Sequence, residues 1–307
     1  MTRTGAAVAV GAPVTRAQRL AEAKERLTLA KVPSPAQDAE ALLLHALAIP
    51  RAALWSEPMR PLTPEEEARF EPLITARARR VPLQILIGET DFHGATLSIE
   101  PGVFIPRPET ECLVEEVLAA LRTREAAAGR RGVPARGILL DLGTGTGAIP
   151  MALLLALPGW SGFAVDRSAR ARDLTDRNAR QNGVADRLTV LAGDFRDPAI
   201  PGLTGPADVL TCNPPYIPTA AIPGLMPEVR DHDPLEALDG GPGGIDALRA
   251  LVRGVPAWLI PGGILAVEIG DDQADASMEL FGPLLTDARV ARDLAGRPRI
   301  LVGTRRG

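Results

Sequence analysis

The fold turns on GILLDLGTGTGAIPMALLLAL, residues 137–157. GILLD, 137–141, is an apolar run of strand length that ends on a single acid, Asp141. It breaks into Gly143, Gly145 and Gly147, with Thr144 and Thr146 between them, and an apolar stretch of helical length follows. Strand, glycine loop and helix in that order open an α/β sheet. Glycines at the junction let the backbone turn tightly and approach a ligand beyond the strand's carboxyl end. Asp141 and four glycines exclude a membrane span over the same run.

Downstream the alternation continues. FAVD (163–166), LTVLAGD (188–194), ADVLTC (207–212) and GILAVEIG (263–270) read as strands, with SARARDLTDRNARQNG (168–183) and GIDALRALVRGVPAWL (244–259) as helices. A last helix and two strands, ARVARDL and RILVGT, separated only by AGRP, finish the sheet as an antiparallel hairpin. The pattern predicts an α/β fold, a doubly wound and mostly parallel sheet with helices on both faces.

Upstream, apolar residues recur three and four apart in LAEAKERLTLA, AQDAEALLLHALAI and PEEEARFEPLITARARR. Ser34-Pro35 and Thr63-Pro64 read as N-caps followed by proline at the first helical position. The expected organisation is a disordered tail over 1–14, a small helical domain over 15–82, a β-hairpin linker over 83–106 and the α/β domain over 107–307. The hairpin is read from LIGETDFHG and ATLSIE, with its turn at His93-Gly94.

With 46% hydrophobic and 23% charged residues, the 307-residue chain suits an ordinary globular protein. Its net charge of −4 argues against a stable nucleic-acid partner. The Arg77/Arg79/Arg80 and Arg130/Arg131 clusters read as solvated surface arginine rather than a basic patch. Cys112 and Cys212 stand too far apart in sequence to suggest a zinc site or disulfide framework, and no metal is expected, which fits a reducing, cytoplasmic compartment.

The ligand follows from the acids around the glycine loop. Gly143-x-Gly145-x-x-Ala148 meets a dinucleotide pattern, but Asp141 would repel a pyrophosphate and suits the cationic amino-acid end of S-adenosylmethionine. Asp166, closing FAVD, is placed to accept from ribose hydroxyls, a role that serves NAD as well. Asp194 and Phe195 offer a carboxylate and a ring for adenine, although Asp194 also reads as a turn cap.

Directly after ADVLTC comes Asn213-Pro214-Pro215-Tyr216. Two prolines cannot extend a strand ladder, so the segment's shape is its content. A planar NH2 is a poor nucleophile and must be held in line with a methyl donor. The Asn213 side-chain oxygen and the Pro214 carbonyl, aimed by proline's fixed φ, are two acceptors for it, with Tyr216 packing on the planar group, so that Asn213, Pro214, Pro215 and Tyr216 are the expected substrate-binding residues. The acceptor could serve an amide or the exocyclic amine of a base.

VFIPRPETECLVEEVL (103–118), DLGTGTGAI (141–149), CNPPYIP (212–218), EVRDHDPLEALDGGPGGIDALR (228–249) and GGILAVEIG (262–270) resemble, in order and spacing, the protein-(glutamine-N5) methyltransferases that modify the GGQ glutamine of peptide-chain release factors. The resemblance implies a Rossmann-like seven-stranded S-adenosylmethionine-dependent methyltransferase sheet, with a small N-terminal helical domain that holds the substrate and a β-hairpin linker. It implies cofactor contacts at Gly143 through Gly147, Asp166, Phe195 and Asn213, and a glutamine amide held by Asn213, Pro214 and Tyr216. Release factors are the implied partner, and a monomer with no membrane association is expected. Asp233 stands where glutamate is commoner in the family, and the role of Arg107 stays open between joining domains and lining the cofactor mouth. The competing readings are a methyltransferase acting on adenine N6 in DNA or guanine N2 in RNA, and a silent cofactor-binding protein.

Overall fold

A computed structural model describes residues 14–307; the first thirteen residues of the expected tail lie outside the described residues. Contacts divide the chain into two compact units, one ending at Ile87 and the other running from Gly88 to Gly307.

The first unit comprises α1 (Arg16–Leu29), α2 (Pro35–Leu47), α3 (Arg51–Ser56), α4 (Pro64–Ala78) and α5 (Leu83–Ile87). Thr15 with Gln18, and Thr63 with Glu66, close reciprocal capping boxes on α1 and α4. Ser34 occupies the N-cap of α2 without a side-chain hydrogen bond, so Pro35 alone starts that helix. Leu27, Leu42, Leu43, Phe70 and Ile74 are fully buried between the helices. Leu86 and Ile87, expected to begin the hairpin, instead end α5 because their side chains join that core. Arg77 also departs from expectation. It is 4% exposed and its Nε donates to Asp38 at 2.7 Å, so it is an interior ion pair between α4 and α2, not solvated arginine.

The second unit begins with the hairpin β1 (Glu89–Phe92) and β2 (Ala95–Ser98), turning at His93-Gly94, both at positive φ. Helix α6 (Glu111–Ala127) leads into β3 (Ile138–Leu142), α7 (Ala148–Ala156), β4 (Ser161–Asp166), α8 (Ala169–Gln181), β5 (Leu188–Ala192) and β6 (Ala207–Cys212). Two short helices, α9 (Pro227–Arg230) and α10 (Leu235–Leu238), precede α11 (Asp246–Trp258), β7 (Leu259–Glu268), α12 (Ala274–Phe281), β8 (Leu285–Arg292) and β9 (Pro298–Arg305).

The seven strands run in the order β5-β4-β3-β6-β7-β9-β8, with β9 antiparallel to β7 and to β8. Residues 263–268 of β7 are buried in succession rather than alternately, as they must be where helices cover both faces. Strand order reverses between β3 and β6, the switch point at which an open α/β sheet leaves a crevice.

The hairpin is fastened to α8 by two asparagines one turn apart. Asn178 accepts from Ser98 N at 2.9 Å, and Asn182 accepts from Thr96 N at 3.1 Å while donating to its carbonyl at 2.9 Å. Asn178 Nδ2 also donates to Thr146 O at 2.8 Å, so one side chain ties hairpin and glycine loop to α8. Among the described residues no helix is long and apolar enough to cross a membrane.

Candidate active site

Strand register assembles the site. Leu142 pairs with Val165 of β4 and Cys212 of β6, and Cys212 pairs with Val267 of β7. The next residue of each strand is therefore Asp166, Gly143, Asn213 or Glu268, a single row at the carboxyl edge. All four line one cavity of about 500 Å³.

The glycine loop needs its glycines. Gly143, Gly145 and Gly147 have φ of 69°, 58° and 80°, the left-handed region that side chains resist. Thr175 Oγ1 donates to Gly145 O at 3.0 Å, bracing the loop from α8. Gly143, Thr144, Gly145 and Thr146 line the cavity; Gly147 does not, since it caps α7 with Met151 and Thr175 behind it. Asp141 also stays outside the lining. It is 1% exposed under the loop, where Oδ1 accepts from Thr211 at 2.6 Å. Its Oδ2 and Thr144 Oγ1 are buried polar atoms without a hydrogen-bond partner. Burial pushes the Asp141 carboxyl up to about 7, against the pull of Thr211 and Thr144.

Asp166 accepts from Gly145 N at 2.9 Å and Ser168 N at 2.8 Å, one bond per oxygen, which leaves lone pairs for a ligand's hydroxyls. Burial raises its pKa against those two backbone bonds. Phe195 is buried beside Gly143, and Arg196 stacks on its ring at 5.1 Å. Asp194 caps the turn, with Oδ1 accepting from Arg196 N at 2.9 Å, and it also lines the cavity. An open glycine cradle, an aromatic wall and a strand-end carboxylate together fit S-adenosylmethionine.

Asn213, Pro215 and Tyr216 line the cavity, whereas Pro214 is buried and does not. Asn213 Nδ2 donates to Thr110 Oγ1 at 3.3 Å. Thr110 Oγ1 donates to Glu268 Oε2 at 2.7 Å, and Tyr216 OH to Glu268 Oε1 at 3.1 Å. Gln273 Nε2 fixes the turn's backbone by donating to Tyr216 O at 2.9 Å and Gly244 O at 3.0 Å. Burial raises the Tyr216 hydroxyl's pKa, reinforced by the Glu268 charge, so the phenol stays neutral. Sequence reasoning singled out neither Thr110 nor Glu268. Their signals were a hydroxyl inside IPRPETE and one acid in the otherwise apolar strand GILAVE.

Arg107 lines the cavity, stacks on Phe104 at 5.0 Å and pairs with Asp233, which also accepts from Ile105 N. The 228–244 segment folds partly into α9 and α10 and walls the cavity through Val229, Pro234 and Leu238.

A switch-point crevice, a glycine loop and an NPPY turn on adjacent strands define a methyltransferase. The chain matches the family described as methyltransferase small domain over residues 128–223 and the one described as PrmC N-terminal domain over residues 18–88. It is 41% identical to the release factor glutamine methyltransferase of Moorella thermoacetica over 95% of this chain and 99% of that one. Its counterpart of the same name in Mycolicibacterium smegmatis is also 41% identical, over 91% of this chain and 94% of the other. That of Mycobacterium tuberculosis is 38% identical over 96% and 93%. The chain belongs to the release factor glutamine methyltransferase family. Among solved structures, the hMettl16 catalytic domain in complex with an RNA hairpin superposes with a TM-score of 0.52 at 17% identity, covering 76% of this chain and 81% of that one, a likeness of fold.

Proposed function

We propose that the protein transfers the methyl group of S-adenosylmethionine to the N5 amide nitrogen of the glutamine in the GGQ motif of peptide-chain release factors. The observation that carries this reading is the orientation of Asn213. Its NH2 is committed to Thr110, which leaves Oδ1 as an acceptor for a substrate N–H at the cavity wall.

Gly143 to Thr146, Asp166, Asp194 and Phe195 would hold the cofactor, which supplies an electrophilic methyl group when bound. The chain's own residues hold the nucleophile. An amide nitrogen has its lone pair delocalised, and an acceptor on its hydrogens favours the positive charge that develops as the N–C bond forms. Tyr216, neutral and anchored by its hydroxyl, offers a fixed aromatic face to the planar amide. The departing proton needs no dedicated base, because an N-methylated amide cation is a strong acid in water. Pro214 enters through its backbone carbonyl alone, consistent with its buried ring. The helical unit is proposed to bind the release factor, and the protein to act as a cytoplasmic monomer without a stable nucleic-acid partner; the net charge of −4 supports the last point.

The test offers labelled S-adenosylmethionine with an intact release factor, a GGQ→GGA release factor, DNA and ribosomal RNA in parallel. Label is expected in the intact factor alone. Label in nucleic acid instead would overturn the reading, and label in the GGA factor would show the wrong target residue.

A further inference from the structure

Glu268 is 1% exposed at the end of a strand whose preceding residues are apolar. Two hydroxyls reach it, Thr110 at 2.7 Å and Tyr216 at 3.1 Å, one on each oxygen. Burial pushes its carboxyl up, while Thr110, Tyr216 and Arg299 of the neighbouring strand pull it back toward the ionised form. Both hydroxyls donate to Glu268, so each spends its single proton there. The Thr110 oxygen then has nothing but lone pairs left to offer. The Asn213 amide must turn its NH2 toward them, as it does at 3.3 Å, and present Oδ1 on its other side.

We propose that Glu268 is a positioning residue that, acting through Thr110, sets the polarity of the Asn213 amide and thereby selects a glutamine NH2 over a glutamate carboxylate. The inference rests on the function proposed above. Its physical content is a direction of hydrogen bonding passed along three side chains from strands β7 and β6 and the turn before α6. Glutamine and glutamate differ in size by almost nothing. They differ in whether the terminal group donates, and that is the property a fixed acceptor reads. With Thr110 satisfied elsewhere or removed, the amide of Asn213 is free to reverse and offer its NH2, which suits a carboxylate.

The test compares the whole protein with Thr110→Val, Thr110→Ser and Glu268→Gln. Thr110→Val removes the acceptor that Asn213 uses; Glu268→Gln leaves one of the two hydroxyls facing an NH2. Expected are a fall in kcat of about 10²-fold for Thr110→Val and at least about tenfold for Glu268→Gln, with KM for S-adenosylmethionine unchanged. Thr110→Ser, which keeps the hydroxyl, restores the rate lost in Thr110→Val. In parallel, calorimetry measures binding of a GGQ→GGE release factor, a readout that needs no methyl transfer. Its affinity is expected to rise about tenfold in Thr110→Val, since a reversed amide donates to the carboxylate. Unchanged kcat in Thr110→Val and Glu268→Gln, a loss shared equally by Thr110→Ser, or unchanged affinity for the GGE factor would each overturn the assignment. Failure of the wild type to label the intact factor would strike the proposed function itself, and the GGE binding series would still report on Asn213.

Discussion

Asp141→Asn should remove a pH dependence built into the base of the glycine loop. The carboxyl of Asp141 has a pKa raised from 3.8 to about 7, because burial outweighs its hydrogen bonds. A raised folded-state pKa means that the fold prefers the protonated acid. Its contribution is complete at pH values below about 4, where both states are protonated, and is lost as pH rises through about 7. At about 1.36 kcal/mol per pH unit, the full displacement corresponds to roughly 4 kcal/mol, of which about 2.5 kcal/mol falls between pH 5 and pH 8. Asparagine keeps the acceptor for Thr211 and cannot ionise. Urea unfolding of cofactor-free protein at pH 5 and pH 8 measures the difference. Trp160 and Trp258, each 1% exposed in the second unit, report it by fluorescence. The wild type should lose roughly 2–3 kcal/mol relative to Asp141→Asn over that interval. Parallel pH curves for the two proteins would refute the assignment of a buried carboxyl with a raised pKa beneath the loop.

Asn213→Ala should lower kcat by about 10²–10³ while leaving the melting temperature within a degree or two, because only one hydrogen bond to Thr110 is lost; a rate within tenfold of wild type would remove Asn213 from the reaction. Gly147→Ala would force a side chain into φ of 80° and place Cβ 2.9 Å from Met151 Cε and 3.0 Å from Thr175 Cγ2, so a loss of about 1–3 kcal/mol is expected by denaturant unfolding. Asp38→Ala removes the carboxylate to which the buried Arg77 Nε donates while its bond to Val81 O remains, and about 1–3 kcal/mol should be lost from the first unit, read as faster amide exchange in α2 and α4. Exchange unchanged in those helices would mean that the pair contributes little.

The sheet was legible because its strands announce themselves. Gly137–Asp141, Phe163–Asp166 and Ala207–Cys212 are apolar runs that stop at an acid or a turn, and three glycines in alternation have few structural uses. Leu86 and Ile87 were not legible, since two apolar residues before a glycine serve a helix end as well as a strand start; only the core they join decides. Asp141 was read as a ligand contact from its place before Gly143. Its strand register turns it instead toward Thr211, on which sequence is silent. The Thr110–Glu268 contact spans 158 residues and depends on the turn before α6 packing against the end of β7, information that local pattern does not hold. Arg77 shows the reverse limit, because an arginine in a run of arginines reads as surface until its partner on another helix is known.

The two asparagines of α8 have a consequence beyond anchoring. A two-stranded hairpin leaves the outer side of β2 as a row of open donors and acceptors, the sort of edge onto which another extended chain can zip. Thr96 and Ser98 expose those groups on the same side, and Asn182 and Asn178 fill them as a strand would, amide for amide. A helix thus impersonates a third strand. The β2 edge is thereby closed to strand addition by two side chains rather than by charge or proline.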